Sequence, residues 1–193
     1  MTSVIIEDCL QLQSVNLVYF YCSYQDVQRK SFVAVARALL SQLLTQNEDL
    51  LPYLYEKRVS SGQVSLVSSE LCAELLKTCL KTMLKTYIII DGIDECELPE
   101  RKTILSFFAP LVEGDDCPGR IRALFVSQDL NDIRKLLRVA TTLRLTDVHN
   151  KADIESYAAN WALKIQVKFS LPDVTMEHIK TAVCEGSEGK KAI

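Results

Sequence analysis

With 193 residues, 48% of them hydrophobic and 24% charged, the chain has the size and apolar content of one domain, or of one domain with a short appendage. A formal charge of -3 and a pI near 5.5 argue against nucleic acid or an anionic membrane as partner. No apolar run approaches the roughly 18 residues that span a bilayer, and the first residues lack the basic region, apolar run and small-residue site of a signal peptide. Seven cysteines without a C-x-x-C pair predict reduced, buried thiols in a cytoplasmic protein rather than a disulfide framework. His149 and His178 are isolated, which argues against zinc and against a Ser-His-Asp or Cys-His catalytic set.

Residues 1–13 read as the tail of an amphipathic helix with Val4, Ile5, Cys9 and Leu12 on one side. Asn16 to Cys22 is a β-branched and aromatic run of strand length, and Ser23 to Asp26 is a polar break. From Lys30 to Gln46, Phe32, Val35, Ala36, Leu39, Leu40, Leu43 and Leu44 follow the helical period. A shorter helix is expected over Leu50 to Arg58, with Pro52 in its first turn. After a loop at 60–63, a strong amphipathic helix carries Leu71, Cys72, Leu75, Leu76, Cys79, Leu80, Met83 and Leu84 on one face.

A strand at 86–91 follows, and Pro99 opens a helix to about Val112. A loop over 113–119 leads to a third strand, Ile121 to Ser127. A short helix at Asn131 to Leu137 precedes a fourth expected strand, Ala140 to Leu145. Asn150, with Asp153 three residues on, reads as the N-cap of a helix to about Val167. A last helix starts near Thr175, and the tail from Glu185 reads as frayed. The alternation predicts an α/β fold, a mostly parallel sheet covered on both faces. The wholly apolar strands at 86–91 and 121–126 fit such double cover.

The chemistry concentrates at Tyr87-Ile88-Ile89-Ile90-Asp91-Gly92-Ile93-Asp94-Glu95-Cys96. A carboxylate at a strand tip is costly without a partner, and magnesium with nucleotide phosphates is the usual one. The alternative is a strand-to-helix turn whose acidic residues merely cap the next helix. Gly92 suits a close approach of backbone or ligand. Ser127-Gln128-Asp129 ends the next strand, on the side of a parallel sheet where ligands bind, although an ordinary strand terminus explains it as well. No G-x-x-x-x-G-K-[ST] loop occurs in the sequence, and Gly186 to Lys191 lacks its spacing. The loop Tyr24 to Arg29 reads as solvated. Trp161, with Tyr157 one turn before, is expected to pack a core face.

Val-Tyr-Phe-Tyr-Cys at 18–22, Ala-Leu-Leu-Ser-Gln-Leu-Leu at 38–44, Leu-Leu-Pro-Tyr-Leu at 50–54, the 87–96 segment, Leu-Phe-Val-Ser-Gln at 124–128 and Asp153 to Tyr157 occur in that order. Together they resemble the NACHT module of STAND-class P-loop NTPases, in particular the nephrocystin-type N-terminal domains of fungal NOD-like receptors. The resemblance implies a three-layer α/β/α P-loop NTPase-like sheet, incomplete at its N-terminus. A NACHT-like core without its P-loop would cover 1–168, and a helical appendage and tail 169–193. It implies an ATP/ADP switch with Mg²⁺: Asp91 as the metal-binding Walker B aspartate, Asp94 positioning water with Glu95 flanking it, and Ser127 and Gln128 at the sensor position. The family usually reads Ser-Arg there, so Gln128 removes a cation that would contact the terminal phosphate.

The chain begins about where the family's helix follows Gly-Lys-Ser/Thr. The family's strand order, 5-1-4-3-2, then leaves the 121–127 and 140–145 strands without the neighbour between them. Poor stability or oligomerisation is the expected consequence. Two functional readings follow: a truncated ATP/ADP signalling domain unable alone to bind ATP tightly or hydrolyse it, or a nucleotide-independent module that docks on full-length NACHT proteins. Small-molecule hydrolysis has no nucleophile set to support it.

Overall fold

A computed structural model describes residues 2–62, 64–114, 119–145 and 147–188, with 147–150 and 185–188 described by their backbone alone. By internal contacts the chain divides into residues 1–139 and 140–193, ahead of the 168/169 boundary expected from the sequence.

The first unit is α/β. Its elements run α1 (Thr2–Leu10), β1 (Asn16–Tyr21), α2 (Phe32–Gln46), α3 (Leu51–Ser60), α4 (Ser69–Thr82), β2 (Thr86–Asp91), α5 (Leu98–Glu113), β3 (Ile121–Val126) and α6 (Asn131–Leu136). The three strands form a parallel sheet in the order β1-β2-β3, with Tyr21, Asp91 and Val126 in register at its carboxyl end. That arrangement, a parallel sheet flanked by helices, is an incomplete α/β/α sheet of the P-loop kind.

Each face of the sheet follows from the twofold alternation of strand side chains. Val18, Ile88, Ile90 and Ile121 point into the main core, where α2, α4 and α5 contribute Val35, Leu39, Leu43, Leu75, Leu76, Ile104 and Phe108. Leu17 and Ile89 point the other way and are covered by Ile6 of α1. Ile5 and Cys9 flank Ile6, whereas Val4 and Leu12 are exposed, so the buried stripe of α1 is rotated from the expected one. On the same face, Leu124 on β3 is 39% exposed.

The two sheet edges differ. On β1, Gln46 Oε1 accepts the N–H of Leu17 at 3.1 Å and Gln46 Nε2 donates to the Leu17 carbonyl at 2.8 Å. Gln42 does the same for Tyr19 at 2.9 and 2.8 Å. Two glutamines one turn apart on α2 therefore seal that edge against further strands. The outer edge of β3 pairs with no strand among the described residues.

Residues 140–145 are not a strand, contrary to expectation. Leu143 is 85% exposed and Val139 68%. An apolar alternation makes a strand only when it joins a ladder, and residues 140–145 pair with no strand among the described residues. The second unit is a helical pair, α7 (Asp147–Phe169) and α8 (Asp173–Glu188), packed on each other. Its turn has Ser170 in the left-handed region at φ 51° and Leu171 N–H bonded to the Gln166 carbonyl at 3.1 Å. α7 starts before Asn150, so Asn150 is not its cap. α8 continues through Glu188 where fraying was expected. Gln63, most of the 113–119 loop and the last five residues lie outside the described residues. Tyr157 and Trp161 stack on the surface of α7, with ring centroids 6.2 Å apart, and are 61% and 47% exposed. They do not form the core face the sequence suggested.

Among the described residues, Cys22, Cys72, Cys79 and Cys96 are buried thiols outside any disulfide, as the apolar faces predicted. No helix among the described residues is long and apolar enough to cross a membrane.

Candidate functional site

β2 delivers Asp91 to the carboxyl end of the sheet, and Gly92 then turns the chain. Its φ of 76° is left-handed, and a Cβ there would lie 3.1 Å from the Cys22 carbonyl oxygen. Glycine is required twice over, by conformation and by space. The strand hydrogen bonds continue past the strands themselves: Cys22 N–H donates to the Asp91 carbonyl at 2.8 Å and Gly92 N–H to the Val126 carbonyl at 2.9 Å. The 3₁₀ turn Ile93–Glu95 follows, with Ile93 buried as its anchor.

Asp94 and Glu95 reach in opposite directions from this turn. Asp94 Oδ1 accepts the N–H of Gln128 at 3.1 Å, just beyond β3. Glu95 Oε2 accepts the N–H of Tyr24 at 2.9 Å, just beyond β1. The loops after all three strands are thus tied together by two carboxylates, each with its other oxygen accepting no hydrogen bond among the described residues. Asp91 is half-buried, and its carboxylate accepts no hydrogen bond among the described residues.

All five residues expected from the sequence therefore lie at one end of the sheet. Asp91, Asp94 and Glu95 stand on the central turn; Ser127 and Gln128 stand beside it. Ser127 Oγ donates to the Gln128 carbonyl at 2.9 Å. What the sequence did not indicate is how the turn is held. Arg101, on the first turns of α5, donates from Nη1 to the Asp94 carbonyl at 3.3 Å and pairs through Nε with Asp132 of α6 at 2.8 Å. Its neighbour Glu100 accepts the Phe32 N–H at 2.7 Å, at the start of α2. An Arg following a run of acidic residues at a helix start is the only local signal, and it does not say which carbonyl the guanidinium reaches. The Tyr24–Arg29 loop, read as solvated, does run along the surface, with Arg29 pairing Asp26 at 3.2 Å, yet its Tyr24 amide belongs to the clamp.

Below the turn, Cys22 and Cys96 share a thiol hydrogen bond. That bond, with burial, pushes the Cys22 thiol well above its ordinary range and holds Cys96 below its own. Cys22 is the donor, and both side chains are buried.

The donor set fits one part of a magnesium–nucleotide complex. Mg²⁺ takes one or two protein carboxylates and completes its shell with water and phosphate oxygens, which Asp91 alone can serve. No group of three His, Cys, Asp or Glu side chains converges to hold an ion among the described residues. Among the described residues, Lys30 near this end is engaged with Glu97 at 3.5 Å, and the Gln128 amide is taken by Asp94.

Residues 1–128 match the family model described as Nephrocystin 3, N-terminal. No curated protein and no solved structure matches the chain. The matched span contains β1, β2, β3 and the whole acidic turn, and it ends on Gln128, the residue that Asp94 holds. With 128 of its 193 residues matched, the chain belongs to the Nephrocystin 3, N-terminal family.

Proposed function

We propose that the carboxyl end of this sheet is the metal-side half of a nucleotide site, in an ATP/ADP signalling domain of the NACHT type. In this reading Asp91 contacts Mg²⁺, directly or through a water. Asp94 and Glu95 hold the acidic turn and offer their free oxygens toward an attacking water, and Ser127-Gln128 occupies the sensor position. The observation that carries it is the Asp94–Gln128 hydrogen bond of 3.1 Å. It joins the acidic turn to the loop after the neighbouring strand, at the end of a parallel sheet where ligands bind. Asp91 stands between those loops with its carboxylate unengaged.

On its own the chain holds only metal contacts. The N–H cradle and lysine of a phosphate loop supply most nucleotide affinity, and the sequence contains no such motif. Titration with labelled ADP and ATP in excess Mg²⁺ should show dissociation constants of roughly millimolar or weaker and no hydrolysis, since phosphate affinity dominates such sites. Micromolar binding abolished by Asp91→Ala would contradict the weak-binding part while placing nucleotide at this turn. Micromolar binding indifferent to Asp91→Ala would overturn the assignment itself.

A second reading is favoured by the outer edge of β3, which pairs with no strand among the described residues, and by the exposed Leu124 beside it. In it the chain docks on a NACHT relative, or on itself, without nucleotide, in the cytoplasm. Co-purification with a full-length relative at equal yield with and without nucleotide supports this reading; monomeric behaviour with no capture rejects it.

A further inference from the structure

At the opposite end of the sheet, where β3 begins, a pocket of about 300 Å³ opens between α4, α5 and the segment leading into the strand. The six residues of β3 at about 3.3 Å each put it roughly 20 Å from the Asp94–Gln128 clamp. Of its nine described lining residues, three are basic and none is acidic. Lys77 and Lys81 come from one side of α4, a turn apart, and Arg120 comes from the residue before β3. Ser106 supplies a hydroxyl, and Phe107, Leu111 and Ile121 an apolar floor.

One feature marks Arg120 as more than part of a solvated rim. Arg120 Nε is buried and has no hydrogen-bond partner among the described residues. A buried donor on a cation without an acceptor is costly, so Arg120 Nε would gain from an anionic oxygen that no described residue supplies. The bland reading is that the cations balance the carboxyl end of α5, which finishes here at Gly114. A helix end presents only about half a negative charge, which a single cation offsets.

We propose that this pocket binds a phosphate monoester carrying an aromatic or short aliphatic body, with the phosphate between Lys77 and Arg120. The dianion present above pH 6–7 meets two cations and the Ser106 hydroxyl, while the body lies over Phe107, Leu111 and Ile121. A site for this chemistry is separate from the acidic turn and independent of whether nucleotide binds there.

Phenyl phosphate titrated into the complete chain at pH 7.5, followed by backbone amide NMR, tests it. Saturable shifts are expected at residues 120–121 and on α4 near Lys77, leaving Gly92 and Asp94 unmoved. Phenol should give no saturable shift, and inorganic phosphate should bind more weakly than the ester. Lys77 is exposed, so Lys77→Glu keeps the fold and should weaken binding about tenfold, or about 1.4 kcal/mol. Arg120→Gln, checked for folding by its melting curve, should do the same. Asp115 and Asp116 follow Gly114 in the sequence, so the chain with both changed to Asn must bind at least as well. Equal binding by Lys77→Glu, absence of saturation, loss of binding on neutralising Asp115 and Asp116, or shifts centred on the acidic turn would each overturn the proposal.

Discussion

Asp94 Oδ1 and the backbone N–H of Gln128 meet at 3.1 Å across 34 residues of sequence. Together with the Glu95–Tyr24 bond at 2.9 Å, this makes the acidic turn a clamp over the carboxyl ends of three parallel strands. The geometry separates the roles of three neighbouring carboxylates: two hold backbone, and Asp91 is left with its oxygens unengaged. A phosphate-sensing loop and a metal-binding turn need that kind of mutual positioning, because an error of an ångström between them is costly in rate.

Removing the clamp should be measurable. Asp94→Ala deletes an exposed charge-assisted hydrogen bond and should lower stability by about 1 kcal/mol in urea unfolding. Asp94→Asn keeps an acceptor oxygen and should lose less than half of that. Amide exchange at Gln128 should speed up in the alanine variant, and unchanged exchange there would show that the bond does not hold in solution.

Gly92 makes a stricter demand. Gly92→Ala combines a left-handed backbone, about 1–2 kcal/mol for a residue with a Cβ, with a 3.1 Å approach to the Cys22 carbonyl. A loss of about 2 kcal/mol or more is expected from chemical unfolding. A loss below about 0.5 kcal/mol would mean that the turn relaxes without cost.

Residues 140–145 give a paired test. Phe108 is fully buried in the main core, so Phe108→Ala should cost about 3–5 kcal/mol. Leu143 is 85% exposed, so Leu143→Ala should stay within about 0.5 kcal/mol. A cost of 2 kcal/mol or more at Leu143 would restore the fourth strand that the sequence suggested.

Alkaline pH should weaken the fold through its buried thiols. Burial pushes the Cys79 thiol from 9.0 up to about 11, and burial raises Cys72 as well. On raising the pH the unfolded chain loses these protons first, so the stability is fully present below about pH 9 and is lost as pH approaches 11. Cys79 by itself accounts for a loss of about 1.4 kcal/mol near pH 10. Urea midpoints from pH 7.5 to 10 should fall in the wild type and fall less steeply in Cys79→Ala. Parallel slopes would exclude this thiol as the cause.

Much of this architecture is legible in the sequence because its signals are periodic. The 3.6-residue stripe of α2, the stripe of α4 and the apolar run of β2 each commit to one partner surface, and the strand at 86–91 has the bounds the residues imply. The five candidate residues converge because strand ends in a parallel sheet share one side. Where reading fails, the deciding contact is remote in sequence. Leu143 and Leu145 alternate as a strand does, but a ladder needs a neighbour that no local pattern supplies. Trp161 and Tyr157 look like core residues by type, yet on α7 the small Ala158 and Ala162 are buried while both aromatics are exposed. Arg101 and the two edge-sealing glutamines were invisible for a related reason. The glutamines bond backbone groups, which have no sequence signature, and Arg101 bonds the Asp94 carbonyl and a carboxylate 31 residues away.

In the proposed site Asp91 faces a metal–nucleotide complex, and manganese relaxation tests that most directly. Mn²⁺ replaces Mg²⁺ at carboxylate and water sites, and even millimolar binding broadens nearby amide signals. Titrating Mn²⁺–ATP into ¹⁵N-labelled chain should selectively broaden Cys22, Gly92 to Glu95 and Ser127, and Asp91→Ala should abolish the effect while leaving the spectrum otherwise folded. Broadening spread over other acidic surface residues, or broadening of the turn that persists in Asp91→Ala, would contradict the assignment.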